Sequence, residues 1–484
     1  MEEKFETGTV LVYNCFSKKQ TRIEMINTLR QPKGFYRNVF ALMVPMVLQN
    51  LISQTVALSD TLMVGMLGEQ YLAAATLATT PLFLFMIFTF GVQSGAGVLV
   101  AQYWGKGNTN AINRVLGVGL YFSVLFTLAG AVAIAAIPHQ ILGLVTNDGL
   151  LVELGAPYVR IAGFSMVLNA AGMIYVSCQR SMENARLGVI VLMISSVINV
   201  FGNWMLIFGN LGMPALGLQG AAVSTLCARA IEVIIISVYA LRNSRLPLKI
   251  KLLFTPGVVI FKDFIKYSLP VLFNEALWGF GAMLFPVILG HMAGAQTILA
   301  GYNIAGNIER LFSVAIFASG GATAVIIGRE IGAGRRDRVD SVAKSLIGLG
   351  WLLGLSSGAL ILIARFTILE PFIYPLFDLS SEAAATATII LTIMAIAAPF
   401  RTQGFTMGVG VLRGGGDVKA FMIIDVATLY VVYLPIAAIG GLVLKAGIAV
   451  VYSGMLIESV VKATWMYLRI RSGKWIHDVT RDIT

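Results

Sequence analysis

Asp60 is a carboxylic acid inside a long apolar stretch, and the residues around it are of types that hold a proton or a small cation. Drawn as a helix at about 100° per residue, the stretch gathers Gln49, Asn50, Ser53, Asp60 and Thr61 into one arc with Gln54 at its edge. Leu48, Leu51, Ile52, Leu58 and Leu62 take the other side. At about 1.5 Å per residue from Val39, the carboxyl lies about 30 Å along the helix. A carboxylate at that depth is costly unless hydrated, paired or protonated, which makes it a functional candidate; an acid merely at the membrane interface is the plainer reading. Further on, Asn199 and Asn203 in SSVINVFGNWMLIFG are four apart and share a helical face. Their amides could accept from a protonated Asp60, coordinate a small cation through oxygen, or simply pack two helices together.

Other charges lie in apolar stretches too. Arg229 with Glu232 and Glu458 with Lys462 stand at helical spacing, so each pair is expected to neutralise itself within one helix. Glu309 and Arg310 sit in mid-stretch. Glu275, Asp425 and Arg401 have no partner on their own helix, and either cavity lining or pairing between halves would account for them. Phe83, Phe85, Met86 and Phe88, with Trp278, Met283 and Phe285, offer aromatic and thioether surface that can repack around varied flat molecules. Gln49, Asn50 and Gln54 would add polar contacts. Ordinary membrane packing explains such residues as readily.

Enzymatic chemistry finds little support. His139, His291 and His477 lie near the ends of apolar stretches or in the tail, and no HExxH, Ser/His/Asp grouping or phosphate-binding loop occurs. Cys15, Cys178 and Cys227 form no CxxC and read as reduced bystanders. Neither a structural metal nor a cofactor is expected.

The elements that position these residues follow from composition. With 57% hydrophobic residues, 12% charged and a mean hydropathy of +0.82, the chain reads as an all-α integral membrane protein. Stretches long enough to span lie near 38–66, 72–103, 115–137, 154–178, 187–209, 219–241, 267–290, 297–328, 342–364, 383–412, 420–443 and 446–468. The 36 residues from Leu72 to Gly107 return 227 positions later as Leu299 to Gly334, nine of them identical. Pro45 and Pro270 open apolar runs before the two copies, and Arg180 and Arg413 precede runs after them. Twelve helices in two six-helix lobes, related by a pseudo-twofold axis along the membrane normal, are therefore expected. The expected divisions are a tail at 1–36, lobes at 37–245 and 263–470, a linker at 246–262 and a tail at 471–484.

Most of the 35 Lys and Arg fall in the tails and in alternate loops, which places both ends in the cytoplasm of a multi-pass protein of the plasma membrane. Basic inner loops facing anionic lipid explain the net charge of +11 without nucleic acid. The first 36 residues lack the pattern of a signal peptide, and Met25 is an alternative start.

PMVLQNLISQTVALSDTLMVGMLG, AQYWGKG, INVFGNWMLIFG, YSLPVLFNEALWGFG, GREIGAG and VLRGGGDVKAFMIID together resemble, in order, the multidrug and toxic compound extrusion (MATE) family of antiporters. The resemblance implies two lobes around a central cleft, acting as a monomer, and export of organic cations or other amphipathic small molecules in exchange for Na+ or H+. It puts the family's first-helix acid on Asp60 and its fifth-helix polar pair on Asn199 and Asn203. Some members have an aspartate at the position of Asn203, a glutamate about one turn beyond Glu275 and an aspartate near Thr402. Two alternatives share less with the chain. A flippase for lipid-linked sugars should show a cleft rich in unpaired arginines, of which Arg310 and Arg401 are the suggestive ones; a membrane-embedded enzyme lacks its residues.

Charge asymmetry is directly testable. With the native cysteines removed, a cysteine at Gly257 should be shielded from membrane-impermeant thiol reagents in intact cells and one at Asn210 labelled. Labelling at Gly257 from outside would reverse the orientation.

Overall fold

The structure, a computed structural model, describes residues 31–376 and 380–482. Cys15, Met25 and most of the expected tail at 1–36 lie outside the described residues. Among the described residues, twelve helices are long and apolar enough to cross a membrane. The first six are α1 (Phe35–Gly65), α2 (Glu69–Gly105), α3 (Thr109–Ala136), α4 (Gly149–Ser181), α5 (Arg186–Phe208) and α6 (Leu218–Arg242). The second six are α7 (Val258–Gly290), α8 (Ala295–Gly332), α9 (Arg336–Phe372), α10 (Ser381–Arg413), α11 (Val418–Val443) and α12 (Ile448–Arg471). Each falls on a stretch expected from hydropathy.

Local signals set several boundaries. The side chains of Asn108, Asp148 and Ser380 accept from backbone N–H groups in the first turns of α3, α4 and α10. The ends of α2 and α8 are one turn built twice. Asn108 N–H donates to the Tyr103 carbonyl at 3.0 Å and Arg335 N–H to the Glu330 carbonyl at 3.1 Å, each across a left-handed glycine, Gly107 and Gly334. A second turn is also duplicated, at an offset of 233. Asn184 N–H donates to the Gln179 carbonyl and Asp417 N–H to that of Leu412. Gly416 takes the left-handed position in one copy; Glu183 takes it in the other, at φ 64, with its carboxylate on Arg329.

Parts of the second lobe depart from the 3.6-residue period. Arg365–Ile373, Gly404–Arg413, Thr428–Tyr433 and Ile439–Val443 are π-helical. Pro371 and Pro435 each remove a backbone donor within or just after such a stretch.

The duplicated turns meet. A Cβ added at Gly105 would strike the Arg329 carbonyl, and one at Gly332 would strike the carbonyl of Gln102. Arg329 is the repeat partner of Gln102, so the contact is reciprocal. Gly328 and its partner Ala101 also touch, which places the pseudo-twofold axis between α2 and α8 at this level. Hydrophobic packing shows how the lobes part from here. Near these turns the cores are shared: Ile260, Phe264, Tyr267 and Val271 of α7 pack with α2 and α3, and Val39, Leu42, Met43 and Met46 of α1 pack with α8. Toward the opposite end the cores are separate, two within α1–α6 and one within α7–α12. The lobes thus form a V, closed at the end that carries the basic loops.

Residues 474–482 cross this closed end. Trp475 is fully buried in the core that contains α8 and α10, whereas Val479 is buried in the core of α2 and α3. Gln102 grips the segment between them: its Nε2 donates to the His477 carbonyl at 3.0 Å, and its Oε1 accepts from Val479 N–H at 2.9 Å. Arg481 lies on Asp263 of α7 at 2.6 Å, and Asp482 on Lys106 at 2.7 Å. The ion pair with Lys106 holds the Asp482 carboxyl below its usual range.

Gly257 precedes α7 at φ 81, a conformation that disfavours a cysteine, so Ser244 is the better probe of that loop. The V has its own test. Gly332→Val should push the closed ends apart, so spin labels at the repeat-equivalent exposed positions Asn110 and Asp337 should report a longer mean distance than in the wild type. An unchanged distance distribution would show that the glycine contact does not hold the ends together.

Candidate functional site

In the first lobe α1 and α5 bring Asp60 and Asn203 together. The Asn203 amide donates to Asp60 Oδ1 at 2.6 Å. One turn along α5, Asn199 Nδ2 donates to Thr225 Oγ1 of α6 at 3.2 Å, and Ser224 Oγ donates to the Asn199 carbonyl at 2.8 Å. Both asparagines are buried, and Oδ1 of each lacks a hydrogen-bond partner. Buried amide oxygens normally find donors, so two orphans one turn apart on α5, one of them on the residue that meets Asp60, mark a place short of positive charge. Arg229 acts on Asp60 electrostatically, but its guanidinium is held on Glu232 at 2.7 Å, and Tyr158 of α4 is the other titratable neighbour. Thr225, Arg229 and Tyr158 were not legible as members of this group, because they come from α6 and α4, at no fixed spacing from Asp60.

The second lobe neutralises its own charges, mostly between helices. Lys462 of α12 lies between Asp425 Oδ1 of α11 at 2.8 Å and Glu458 Oε1 at 2.5 Å. Asn274 of α7 donates to the other oxygen of Asp425 at 3.1 Å, and Thr428 Oγ1 donates to Glu458 at 3.2 Å. Arg401 of α10 pairs with Glu309 of α8. Arg413, at the end of the π-helical turn of α10, donates to Glu275 of α7 at 2.9 Å and to Ser94 of α2 at 2.7 Å. It also packs over the ring of Phe421. Glu275, Asp425 and Arg401 therefore do have partners, on neighbouring helices of their own lobe rather than across the halves. The expected Arg229–Glu232 and Glu458–Lys462 pairs are present, the second enlarged by Asp425.

The apolar candidates divide. Phe85 is buried against Gly130, Phe88 stacks on Phe126 at 3.7 Å, and Phe285 is buried among Tyr302, Tyr433 and Tyr452, all within their own lobes. Phe83 reaches Gly279 of the opposite lobe. Met86, Trp278 and Met283 are exposed. Gln49 points its amide at Gly188 of α5 and so packs inside the first lobe, while Asn50 is half-buried and Gln54 exposed. No group of three or more metal-ligating side chains occurs among the described residues.

Known proteins share this architecture. The MatE family model matches residues 45–205 and 270–439, one block in each lobe. A probable multidrug resistance protein NorM of Thermotoga maritima is 24% identical over 445 residues, spanning 91% of this chain and 93% of that protein. An uncharacterized transporter, YisQ of Bacillus subtilis, is 24% identical over 451 residues, spanning 93% and 97%. A solved outward-facing multidrug resistance MATE family transporter of the MOP superfamily superposes with a TM-score of 0.81 at 19% identity, over 93% of this chain and 98% of the other. The eukaryotic MATE transporter AtDTX14 gives 0.78 at 17% identity, over 92% and 97%.

Removing one member of a buried ion pair strands the other. Arg413→Met should destabilise the protein by about 3 kcal/mol, measured by thermal unfolding in detergent, and adding Glu275→Gln should restore much of the loss. If the double variant is as unstable as the single, the pair is not the source of the effect.

Proposed function

The chain belongs to the MatE family of multidrug efflux transporters, and from that premise we propose an antiporter that exports amphipathic small molecules in exchange for Na+ or H+, with Asp60 as the residue that takes the coupling ion. The observation that carries this reading is the Asp60–Asn203 contact together with the unpartnered oxygens of Asn203 and Asn199. Oxygen is the ligand type a hard cation prefers, and a carboxylate, two amide carbonyls and the Thr225 hydroxyl supply it from three helices. A proton serves the same end by another route. Once Asp60 is protonated, the Asn203 amide can turn over and accept from it.

Either ion changes what holds α1 to α5. With Asp60 charged, Asn203 is committed to donating; with the charge neutralised, that tie is replaced. An ion that binds one arrangement of the lobe better than the other shifts the balance between them by its difference in affinity, which is the requirement for coupling. The V supplies the two states, because closing its open end and parting the duplicated turns would expose the cleft to the other side. With the basic loops in the cytoplasm of the plasma membrane, the cleft described here opens outward, and a monomer suffices for the cycle. The reading as a flippase for lipid-linked sugars loses one of its two arginines, because Arg401 is engaged by Glu309.

Purified protein in liposomes, given Na+ and proton gradients separately, tests the assignment. Asp60→Asn should abolish gradient-driven export while leaving cargo binding and membrane insertion intact. Asn203→Ala should weaken coupling less, since it removes a dipole and not a charge. Export by Asp60→Asn at the wild-type rate and with the same ion dependence would move the coupling site elsewhere, with Asp425 next in line.

A further inference from the structure

Arg310 makes no hydrogen bond and no ion pair among the described residues, and it is exposed. It stands fifteen residues into α8 and twenty-two before its end, about 22 Å and 33 Å along the axis and inside the apolar stretch of that helix. An unpaired guanidinium at that depth needs water or an anion beside it.

Helix geometry says which way it faces. Gly321, Gly328 and Gly332 of α8 touch Met46, Ala101 and Gln102 of the first lobe. At about 100° per residue these three fall within about 40° of one another, and Asn303, Asn307 and Arg310 continue the same stripe upward. All three are exposed. Below Val314 the stripe is lobe contact; above it the cores separate, so the stripe becomes a wall of the cleft. The pseudo-twofold axis gives the facing wall. Thr76, Thr80 and Phe83 of α2 are the repeat partners of Asn303, Asn307 and Arg310, and since Ala101 meets Gly328 on the axis, the two stripes look at each other.

The duplicated walls have diverged in one direction. One carries hydroxyls and an aromatic ring, the other amides and a guanidinium. No carboxylate is available to Arg310: Glu309 is taken by Arg401, Glu275 by Arg413, and Asp60 is turned to Asn203 with Arg229 as its nearest cation. We propose that Arg310 is a cargo-binding residue, and that the cleft takes amphipathic molecules bearing an anionic group, a carboxylate, sulfonate or phosphate, whose apolar body lies against Phe83 and Met86. This rests on the reading of the protein as an exporter and narrows its cargo, from amphipathic molecules in general to anions and zwitterions. Asn303 and Asn307 would supply further hydrogen bonds along the same wall.

The test uses the full chain with two xanthene dyes of similar body, anionic carboxyfluorescein and a cationic rhodamine. Equilibrium binding is followed by fluorescence anisotropy in detergent and export in liposomes. Arg310→Ala should weaken binding of the anionic dye about ten- to a hundredfold, the scale of one lost charge-assisted hydrogen bond, and leave the cationic dye unchanged or better bound. Arg310→Lys should recover part of the loss, and Arg310→Glu should favour the cation. A fluorescent short-chain phosphatidylglycerol forms a third arm: if it binds in an Arg310-dependent way and the soluble dye does not, the anion is a lipid headgroup. Equal losses for both dyes, or no change in either, would overturn the proposal. Arg310-dependent binding without export under any gradient would leave the site standing and remove the exporter reading instead.

Discussion

The reciprocal contact of Gly105 and Gly332 with the backbones of Arg329 and Gln102 fixes where the two lobes can touch. Backbone approaches this close leave no room for a side chain, so the helices α2 and α8 cross at one level and diverge from it. The shared cores around α1 and α7 lie at that level, and the separate cores lie beyond it. A cleft between the lobes is thus the geometric result of a narrow crossing. The Arg329–Glu183 ion pair at 2.5 Å adds a polar tie at the same level, between α8 and the turn that follows α4.

Charge is distributed unequally between the lobes. In the second, each embedded acid meets a base, for all but Glu458 one from a neighbouring helix, and such clusters fix helix positions because stranding one member is costly. In the first, Arg229 and Glu232 close on each other and Asp60 is left with amides. Interactions with an amide can be exchanged for interactions with an ion far more readily than a full ion pair can. The first lobe thus holds an embedded acid that meets an amide and no base of its own, whereas the embedded acids of the second lobe are each paired with one.

Legibility in the sequence followed the same physics. Spans were readable because twenty apolar residues in a row have few other uses, and the duplication because it repeats a turn whose hydrogen bonds need glycine at 107 and 334. Asp60, Asn199 and Asn203 could be placed on faces of their helices, as could the self-paired Arg229 and Glu232. The pairing of Arg401 with Glu309, and of Lys462 with Asp425, could not be read, because partners on different helices share no period. The π-helical turns were also hidden: one extra residue in a turn shifts every later side chain by about 100°, and only the prolines hint at it. Arg310 could be seen as an oddity in an apolar run, but its direction needed the contacts of Gly321 and Gly328 to fix the stripe.

The segment across the closed end acts as a tether of set length. Trp475 is anchored in one shared core and Val479 in the other, and the four residue steps between them can extend to no more than about 14 Å. Motion that draws Gln102 away from Gly414 beyond that reach must pull one anchor out. The anchors are unequal, since an indole buries far more apolar surface than an isopropyl group. Val479 is the weaker apolar anchor, and its release would let the tail travel with the lobe that holds Trp475 only if the grip of Gln102 and the ion pairs at Lys106 and Asp263 also part.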